Sequence, residues 1–512
     1  MPTVRFSHFA SENPDVIAVV EASGREWSRG ELARSVKRLS HTLRKLGSVP
    51  GDALATMAPN CAEYMIAYLA ATEMGMYFVP INWHLAPAEI EYILKDCKPR
   101  ALVAHERFQT SITSILSGMD APPPIRLSIG TIAGFIGLAE LEDVGDAANP
   151  MPIDGRMLAY TSATTGRPKG VLLPLQDAGR ILDKIIGQRI AAGLGVDDNV
   201  HLCASMLYHG APLETVAIAL HMGHSVVLIE TATPEGILRL IEQYRVTTAY
   251  IPPNMFKRLL SLSASTRARY STATLVRVIH AGAPCPVEVK RQMIEWWGPI
   301  ILELYGAVEG SGTIVNSHDW LKHPGTVGTP VPGSIVKILG EDGEELPAGA
   351  VGTIYLTRYT GDRFEYLHDP EKTRSAYRGE LFTVGDVGYL NEQGFLFLCD
   401  RKIDMINVAG MKIYSAEIEN VLNLHPQVED CAVVGVPDEV TGEAVLALVQ
   451  VAAGSPQDDG LIADLSRFLR RHLSPLKMPR SFELVSSLPR EVTGKLRKRQ
   501  LRADYLSRHA LS

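Results

Sequence analysis

Between residues 31 and 46, apolar positions recur at the three-and-four spacing of one helix face, and Gly47 follows as a stop signal. The short apolar run 53–57 predicts a strand. A helix is expected over 61–74, a strand over 77–80, a helix over 87–97 and a strand over 101–104. The alternation resumes with a strand at 225–229, a helix at 234–244 and a strand at 247–251. Strands and helices in turn predict an α/β class, with parallel sheets covered by helices. Past Tyr305 the texture changes. Short strands at 333–339, 352–356 and 394–399 are separated by turns such as Glu341-Asp342-Gly343-Glu344, which predicts a β-rich, antiparallel subdomain. From Asp400 the pattern predicts a helix at 416–424, strands at 431–436 and 444–451, a helix at 461–473 and a strand at 481–485. That is a small α+β domain, so the expected division is 1–399 and 400–512.

Composition narrows this only a little. A chain of 512 residues is too long for one core. A hydrophobic content of 46% with 21% charged residues is an ordinary soluble balance. The net charge of −7 argues against a general nucleic-acid binder. Cysteines at 61, 97, 203, 285, 399 and 431 form no C-x-x-C pair, so neither a disulfide framework nor a zinc site is expected. The N-terminus lacks the apolar core of a signal peptide, and a cytoplasmic location is expected. The greasiest region, 211–230, is broken by Glu214, His221, Gly223 and His224. It reads as a buried helix and strand, with no membrane span.

The densest chemistry lies in Tyr160-Thr161-Ser162-Ala163-Thr164-Thr165-Gly166-Arg167-Pro168-Lys169-Gly170. Hydroxyls and backbone N–H groups can wrap an anion, glycines allow close approach, and Arg167 and Lys169 add positive charge. A polyphosphate is the natural guest; a polar surface loop before a strand is the plainer alternative. The G-x-x-x-x-G-K-[ST] spacing of a P-loop is absent.

This stretch resembles the phosphate-binding loop of the AMP-forming adenylating enzymes, which include acyl-CoA synthetases, luciferases and peptide-synthetase adenylation domains. It departs from that family's loop at Ala163, where a glycine is usual. Further motifs follow in the family's order, and the resemblance covers nearly the whole chain. It implies that Thr161, Ser162, Thr164, Thr165 and Lys169 bind the nucleotide phosphates. His209, in Tyr208-His209-Gly210, would border the substrate carboxylate; read alone, it is more simply a core histidine. The next residues, Gly210-Ala211-Pro212-Leu213, lack the aspartate that amino-acid-activating members use, which argues against an α-amino acid. Ala281, Gly282 and Ala283 resemble the turn along the adenine.

Leu304-Tyr305-Gly306-Ala307-Val308-Glu309 resembles the motif in which Tyr305 stacks on adenine and Glu309 ligates Mg²⁺. A solvated surface acid is the plainer reading of Glu309. Thr383-Val384-Gly385-Asp386 resembles the ribose-binding stretch; Asp386 would accept the ribose hydroxyls, or is a turn aspartate. The stretch from Asp400-Arg401 to Ala409-Gly410 resembles the family's hinge motif, which implies that it lines the coenzyme A tunnel, with Asp400 as the pivot and Arg401 reaching the ribose or phosphate. Pro489-Arg490-Glu491-Val492-Thr493-Gly494-Lys495 resembles the terminal motif, in which Lys495 bridges the carboxylate and the α-phosphate. The basic run after it, Leu496-Arg497-Lys498-Arg499, reads as a solvated tail.

The resemblance implies an acyl-CoA ligase with a large N-terminal adenylate-binding domain and a small mobile C-terminal one. Its cofactors would be ATP or acyl-AMP, Mg²⁺ and coenzyme A, and its substrate a carboxylic acid. Gly282, Gly306, Gly310, Ser311 and Gly312 suggest a roomy pocket for a bulky apolar acid. The departures Ala163, Val308 and Val384 cluster on phosphate handling, with Ala409 at the hinge. A lost hydroxyl bond to a charged phosphate costs roughly 1.5–3 kcal/mol. A left-handed alanine costs roughly 1–2 kcal/mol. A ligase biased to or limited to thioesterifying a preformed acyl-adenylate, with weak adenylation of its own and compatible with a separate adenylating partner enzyme, is therefore a second reading. A non-catalytic acyl-nucleotide sensor is a third, disfavoured by Lys495, Glu309 and the hinge. A homodimer is compatible with all three.

Overall fold

Ser28 and Glu31 explain where the first long helix begins. The Glu31 N–H donates to Ser28 Oγ at 3.2 Å, and the Ser28 N–H donates to the Glu31 carboxylate at 2.8 Å. This reciprocal cap satisfies two donors that a helix start leaves unpaired, so the helix runs Arg29–Lys45, slightly ahead of its apolar face. The structure, a computed structural model, describes residues 5–143, 153–161, 168–191, 195, 199–401, 403–452, 454, 458–490 and 496–509. The chain divides into two units: Met1–Ile251, Leu262–Ile279 and Thr360–Ala376 form one, and Pro252–Ser261, His280–Tyr359 and Tyr377–Ser512 the other.

The first unit has the expected α/β character. Strands Ile136–Gly137, Ile125–Ile129, Ala101–His105, Ala53–Met57, Tyr77–Pro80 and Arg156–Met157 lie side by side in that order, all parallel. Helix Ala62–Glu73 is buried on nearly every side, which its lack of a polar face requires. A second sheet places Thr248–Tyr250, Val200–Cys203, Ser225–Leu228 and Ile17–Val20 in parallel, with Glu26–Ser28 antiparallel at the edge. The greasy stretch is helix Gly210–His221 followed by strand Ser225–Leu228. Among the described residues, no helix is long and apolar enough to cross a membrane.

The second unit holds the antiparallel sheet expected past Tyr305. Its order is Tyr377–Arg378, Leu381–Phe382, Gly352–Leu356, Asp386–Leu390 and Leu396–Arg401, with Val336–Leu339 also on Gly352–Leu356. Beyond it, strands Val428–Asp438 and Gly442–Val451 form a long hairpin flanked by Ile406–Val408 and Ser481–Val485. Alternate residues serve two cores. Cys431 and Val433 pack with Ile418, Leu465 and Leu469, while Ala432 and Val434 pack with Leu446, Leu488 and Leu501. Burial on both faces explains the unbroken apolar run at 431–434. The second face is covered by helix Lys498–His509, whose start overlaps the basic run Leu496–Arg499 expected as a solvated tail. Its only buried residue is Leu501, so its sequence carries little amphipathic signal.

The first helix, Phe6–Glu12, is tied to Gly210–His221 by a buried bond from the Phe6 N–H to His221 Nδ1 at 3.3 Å. Burial, aided by Arg5, lowers the His221 pKa from near 6.5 to about 4. The unfolded chain therefore binds a proton that the folded chain refuses. The contribution of His221 is complete above pH 6.5 and is lost as pH falls through about 4. Urea titrations of wild type and His221→Gln between pH 7.5 and 4 should show a shallower loss of stability in the variant; parallel curves would mean His221 is already charged when folded.

Candidate active site

The phosphate-loop sequence leaves one strand and returns on the next. Ala159–Thr161 and Lys169–Leu172 are antiparallel, with Thr161 opposite Lys169 and Tyr160 opposite Gly170. The Tyr160 hydroxyl donates to Asp96 at 2.6 Å. A Cβ on Gly170 would stand 3.1 Å from the Tyr160 ring and 3.3 Å from Leu158, so a larger residue would press on both side chains. Ser162, Ala163, Thr164 and Thr165 lie outside the described residues, as does Lys495. The Lys169 ammonium is ion-paired with Asp369. His209 is the N-cap residue of helix Gly210–His221 and is half-buried. Its ring centroid is 4.6 Å from that of Tyr208. Trp83 reaches the same cluster, 6.3 Å from Tyr208 edge-on and 5.1 Å from Phe108 stacked.

In the second unit, three predicted residues meet at one carboxylate. Strands Asp386–Leu390 and Leu396–Arg401 set Asp386 opposite Arg401 and Val387 opposite Asp400. Asp386 is 9% exposed. Its Oδ2 accepts the Tyr305 hydroxyl at 2.7 Å, and its Oδ1 lies 3.3 Å from Arg401 Nε. Burial, and next the Asp386 charge, push the Tyr305 phenol well above its ordinary pKa, so it remains a donor. Tyr305 and Gly306 end strand Ile301–Ala307, which turns through Val308 and Glu309 into Gly310–Asn316. Glu309 is 5% exposed, and its carbonyl accepts the Arg358 guanidinium. A Cβ on Gly310 would meet Phe382 at 2.8 Å and one on Gly312 would meet Tyr305 at 3.1 Å, so the space at both is filled. Gly282, between Ala281 and Ala283, has φ +84°, a conformation that favours glycine.

The Tyr305 strand also carries a buried charge that belongs to none of the sequence motifs. Glu303 is on the Tyr305 strand, and its Oε2 pairs with Lys290 Nζ at 2.5 Å, with Lys290 fully buried. The same oxygen lies 3.7 Å from Nε2 of His280, the residue just before Ala281. Lys290 also sits 4.9 Å from the Trp320 ring centroid. Burial and the Lys290 charge hold His280 neutral, well below its ordinary pKa. Breaking one side of such a pair leaves an uncompensated buried charge, at about 3–5 kcal/mol. It therefore braces the adenine-turn sequence and the Tyr305 strand together.

The stretch that begins at Asp400 is anchored by that residue. Asp400 Oδ2 accepts the Ser415 N–H at 2.7 Å and its hydroxyl at 2.6 Å, while Oδ1 accepts the Arg401 N–H at 2.8 Å. Lys498 Nζ bonds to Ser415 Oγ and to Glu419 at 2.8 Å. Burial opposes the Lys498 charge, but Glu419 and Asp400 outweigh it and raise its pKa. Ala409 and Gly410 form the two-residue turn between Ile406–Val408 and Met411–Ile413, at φ +50° and +86°. Such turns need a positive φ at both positions, hence the preference for Asn-Gly or Gly-Gly.

The paired parallel sheets, the antiparallel β subdomain and the final α+β sheet are the fold of the adenylate-forming enzymes. The chain belongs to the AMP-binding enzyme family: the family model matches residues 6–360, and that of the AMP-binding enzyme C-terminal domain matches 417–495. It is 31% identical to the feruloyl-CoA synthase of an Amycolatopsis species, over 95% of each chain. It is 29% identical to the fatty acid–[acyl-carrier-protein] ligase ScoC of Streptomyces coeruleorubidus, covering 98% of this chain and 95% of that one. The amide bond synthetase McbA of Marinactinospora thermotolerans shares the fold at a TM-score of 0.85 and 28% identity, over 98% of this chain and 100% of that one. The chain is thus an AMP-forming ligase of the acyl-CoA synthetase kind, a class that uses ATP, Mg²⁺ and coenzyme A.

Ala409 is the one non-glycine at a positive φ within these site motifs, among the described residues. Ala409→Gly should relieve roughly 1–2 kcal/mol of strain. It should lose about 0.4–1 kcal/mol to a freer unfolded chain. A small net gain in urea stability is expected; a clear loss would show that Ala409 is not left-handed.

Proposed function

We propose that this enzyme joins a bulky apolar carboxylic acid to coenzyme A through a bound acyl-adenylate. The observation that carries this reading is the chain Tyr305–Asp386–Arg401, which offers an aromatic face beside a nearly buried, paired carboxylate. An adenosine fits that chemistry: the base stacks on Tyr305 against Ala281, Gly282, Ala283, Gly306 and Val308, and the ribose hydroxyls donate to Asp386. Arg401 then reaches the ribose or α-phosphate. Thr161, Ser162, Thr164, Thr165 and Lys169 hold the β- and γ-phosphates. Glu309 would hold Mg²⁺. Among the described residues no three His, Cys, Asp or Glu side chains converge on a metal, and one acid plus phosphate oxygens is a usual Mg²⁺ set. When bound, the ion offsets phosphate charge.

The acid is oriented by His209 and by Lys495, whose ammonium offsets charge on the carboxylate and the α-phosphate. A carboxylate oxygen bonds to the α-phosphorus, and the bond from that phosphorus to the pyrophosphate oxygen breaks. The 400–512 body then swings about Asp400 relative to 1–399, as the separate match of the C-terminal family model supports. The coenzyme A thiolate enters past Ala409 and Gly410, bonds to the acyl carbon, and AMP leaves with the former carboxylate oxygen. The aromatic surroundings of His209 support a bulky apolar acid, as do relatives named for ferulate and fatty acids. Gly282, Gly306 and Gly310 are assigned to the acyl group by their place in the motifs alone; Gly310 itself is packed against Phe382.

A second reading is favoured by two features of the phosphate end: Asp369 occupies Lys169, and Val308 offers no hydroxyl. In it, adenylation is slow and a preformed acyl-adenylate is the better substrate. Pyrophosphate exchange into ATP separates the two. Exchange at least as fast as overall ligation supports the full two-step enzyme, and slow exchange with rapid conversion of supplied acyl-AMP supports the second.

Lys495→Ala should lower acyl-AMP formation roughly a hundred- to a thousandfold, while sparing thioester formation from supplied acyl-AMP. Equal loss in both half-reactions would give Lys495 a different job. Asp386→Ala should weaken AMP, ATP and acyl-AMP together, by about tenfold or more, since each lost charge-assisted bond is worth roughly 1.5–3 kcal/mol. Unchanged AMP affinity by calorimetry would remove Asp386 from the ribose site.

A further inference from the structure

Asp369 is held in place independently of its partner. Strand Lys169–Leu172 pairs with Glu365–Tyr366, and the Leu367 N–H donates to the Gly170 carbonyl at 2.8 Å. The Asp369 N–H then donates to the Tyr366 carbonyl at 3.0 Å. Asp369 Oδ1 accepts the Lys372 N–H at 2.9 Å, at the start of helix Pro370–Ala376, and its carbonyl accepts the Thr373 hydroxyl at 2.9 Å. These bonds fix the other carboxylate oxygen, Oδ2, beside the Lys169 ammonium. Lysine is a point charge on a flexible stem and can pivot, whereas this aspartate cannot without losing its backbone bonds. The Lys169 and Asp369 side chains are 18% and 32% exposed, so another anion can reach the ammonium.

We propose that Asp369 is the resident counter-ion of Lys169: it yields the lysine to the β- and γ-phosphates of ATP and takes it back as pyrophosphate leaves. The proposal rests on the assignment of Lys169 to those phosphates. A polyphosphate outcompetes one carboxylate because it brings several negative charges. The carboxylate in turn makes the lysine a weaker trap for inorganic pyrophosphate. The bond from Lys169, and then that from Lys372, hold the Asp369 carboxyl below its ordinary pKa, so it stays ionised at neutral pH. The competition acts only on ligands that carry phosphates beyond the first, so AMP is untouched by it.

The test uses the full-length enzyme and two variants, Asp369→Asn and Asp369→Ser. Each keeps an oxygen that can accept the Lys372 N–H, and each removes the charge. In both, KM for MgATP and the inhibition constant of inorganic pyrophosphate should fall about two- to fivefold, the worth of a partly exposed pair, with the Kd of AMP unchanged. Lys169→Gln should raise both constants and abolish the effect of Asp369→Asn. If Lys169→Gln raises them but neither Asp369 variant lowers them, the counter-ion role is wrong and the phosphate assignment stands. If Lys169→Gln changes neither, the assignment itself fails and the proposal with it. Weaker ATP binding in both Asp369 variants, or an equal change for AMP, also overturns it, because Asp369 would then be building the site.

Discussion

A carboxylate taken almost entirely out of water has to be met by donors, and Asp386 is where that requirement organises the second unit. Its two oxygens take the Tyr305 hydroxyl and the Arg401 guanidinium, so one side chain sets the distance between strand Ile301–Ala307 and the paired strands that end at Arg401. Left unpaired, the same charge would cost several kcal/mol. The pairing also gives the aromatic ring a fixed edge, since a phenol that donates to Asp386 cannot turn freely about its Cα–Cβ bond.

The same rule recurs around it with different consequences. Glu303 and Lys290 are buried more deeply, and they brace the residues before Ala281 against the Tyr305 strand. Asp400 is paired mostly with Ser415 and with neighbouring backbone, which ties the end of strand Leu396–Arg401 to helix Ser415–Leu422, while Arg401 pairs with Asp386. In the first unit, Lys169 and Asp369 are only partly buried, so their pairing is weak enough to be exchanged. Depth of burial thus separates charges that hold the frame from charges that can change partner.

Glycine in these motifs answers a similar packing question. Gly170, Gly310 and Gly312 carry aromatic or aliphatic side chains directly above their Cα atoms. Gly282 and Gly410 instead supply left-handed backbone, and Ala409 reaches that conformation at some cost. A glycine in such a motif therefore does not by itself mean empty space for a ligand, because a neighbouring side chain can already fill the place of the missing Cβ.

Much of the molecule was legible in the chain. Helix and strand periods marked the alternating elements of the first unit, because each buries one face or one run. The ordered motifs at Tyr160–Gly170, Tyr305–Glu309, Asp386 and Asp400–Gly410 identified the family, because binding a nucleotide demands particular residue types at short spacing. What sequence did not reveal were partners far apart in the chain. Asp369 lies 200 residues from Lys169, and Tyr305 lies 81 from Asp386, distances at which no local pattern operates. Lys290 belongs to no motif in the sequence, and Lys498 reads as part of a basic tail. Only tertiary packing buries them beside Glu303 and Glu419, because the energy of an ion pair depends on position in space and on the water removed, neither of which is written in the order of residues.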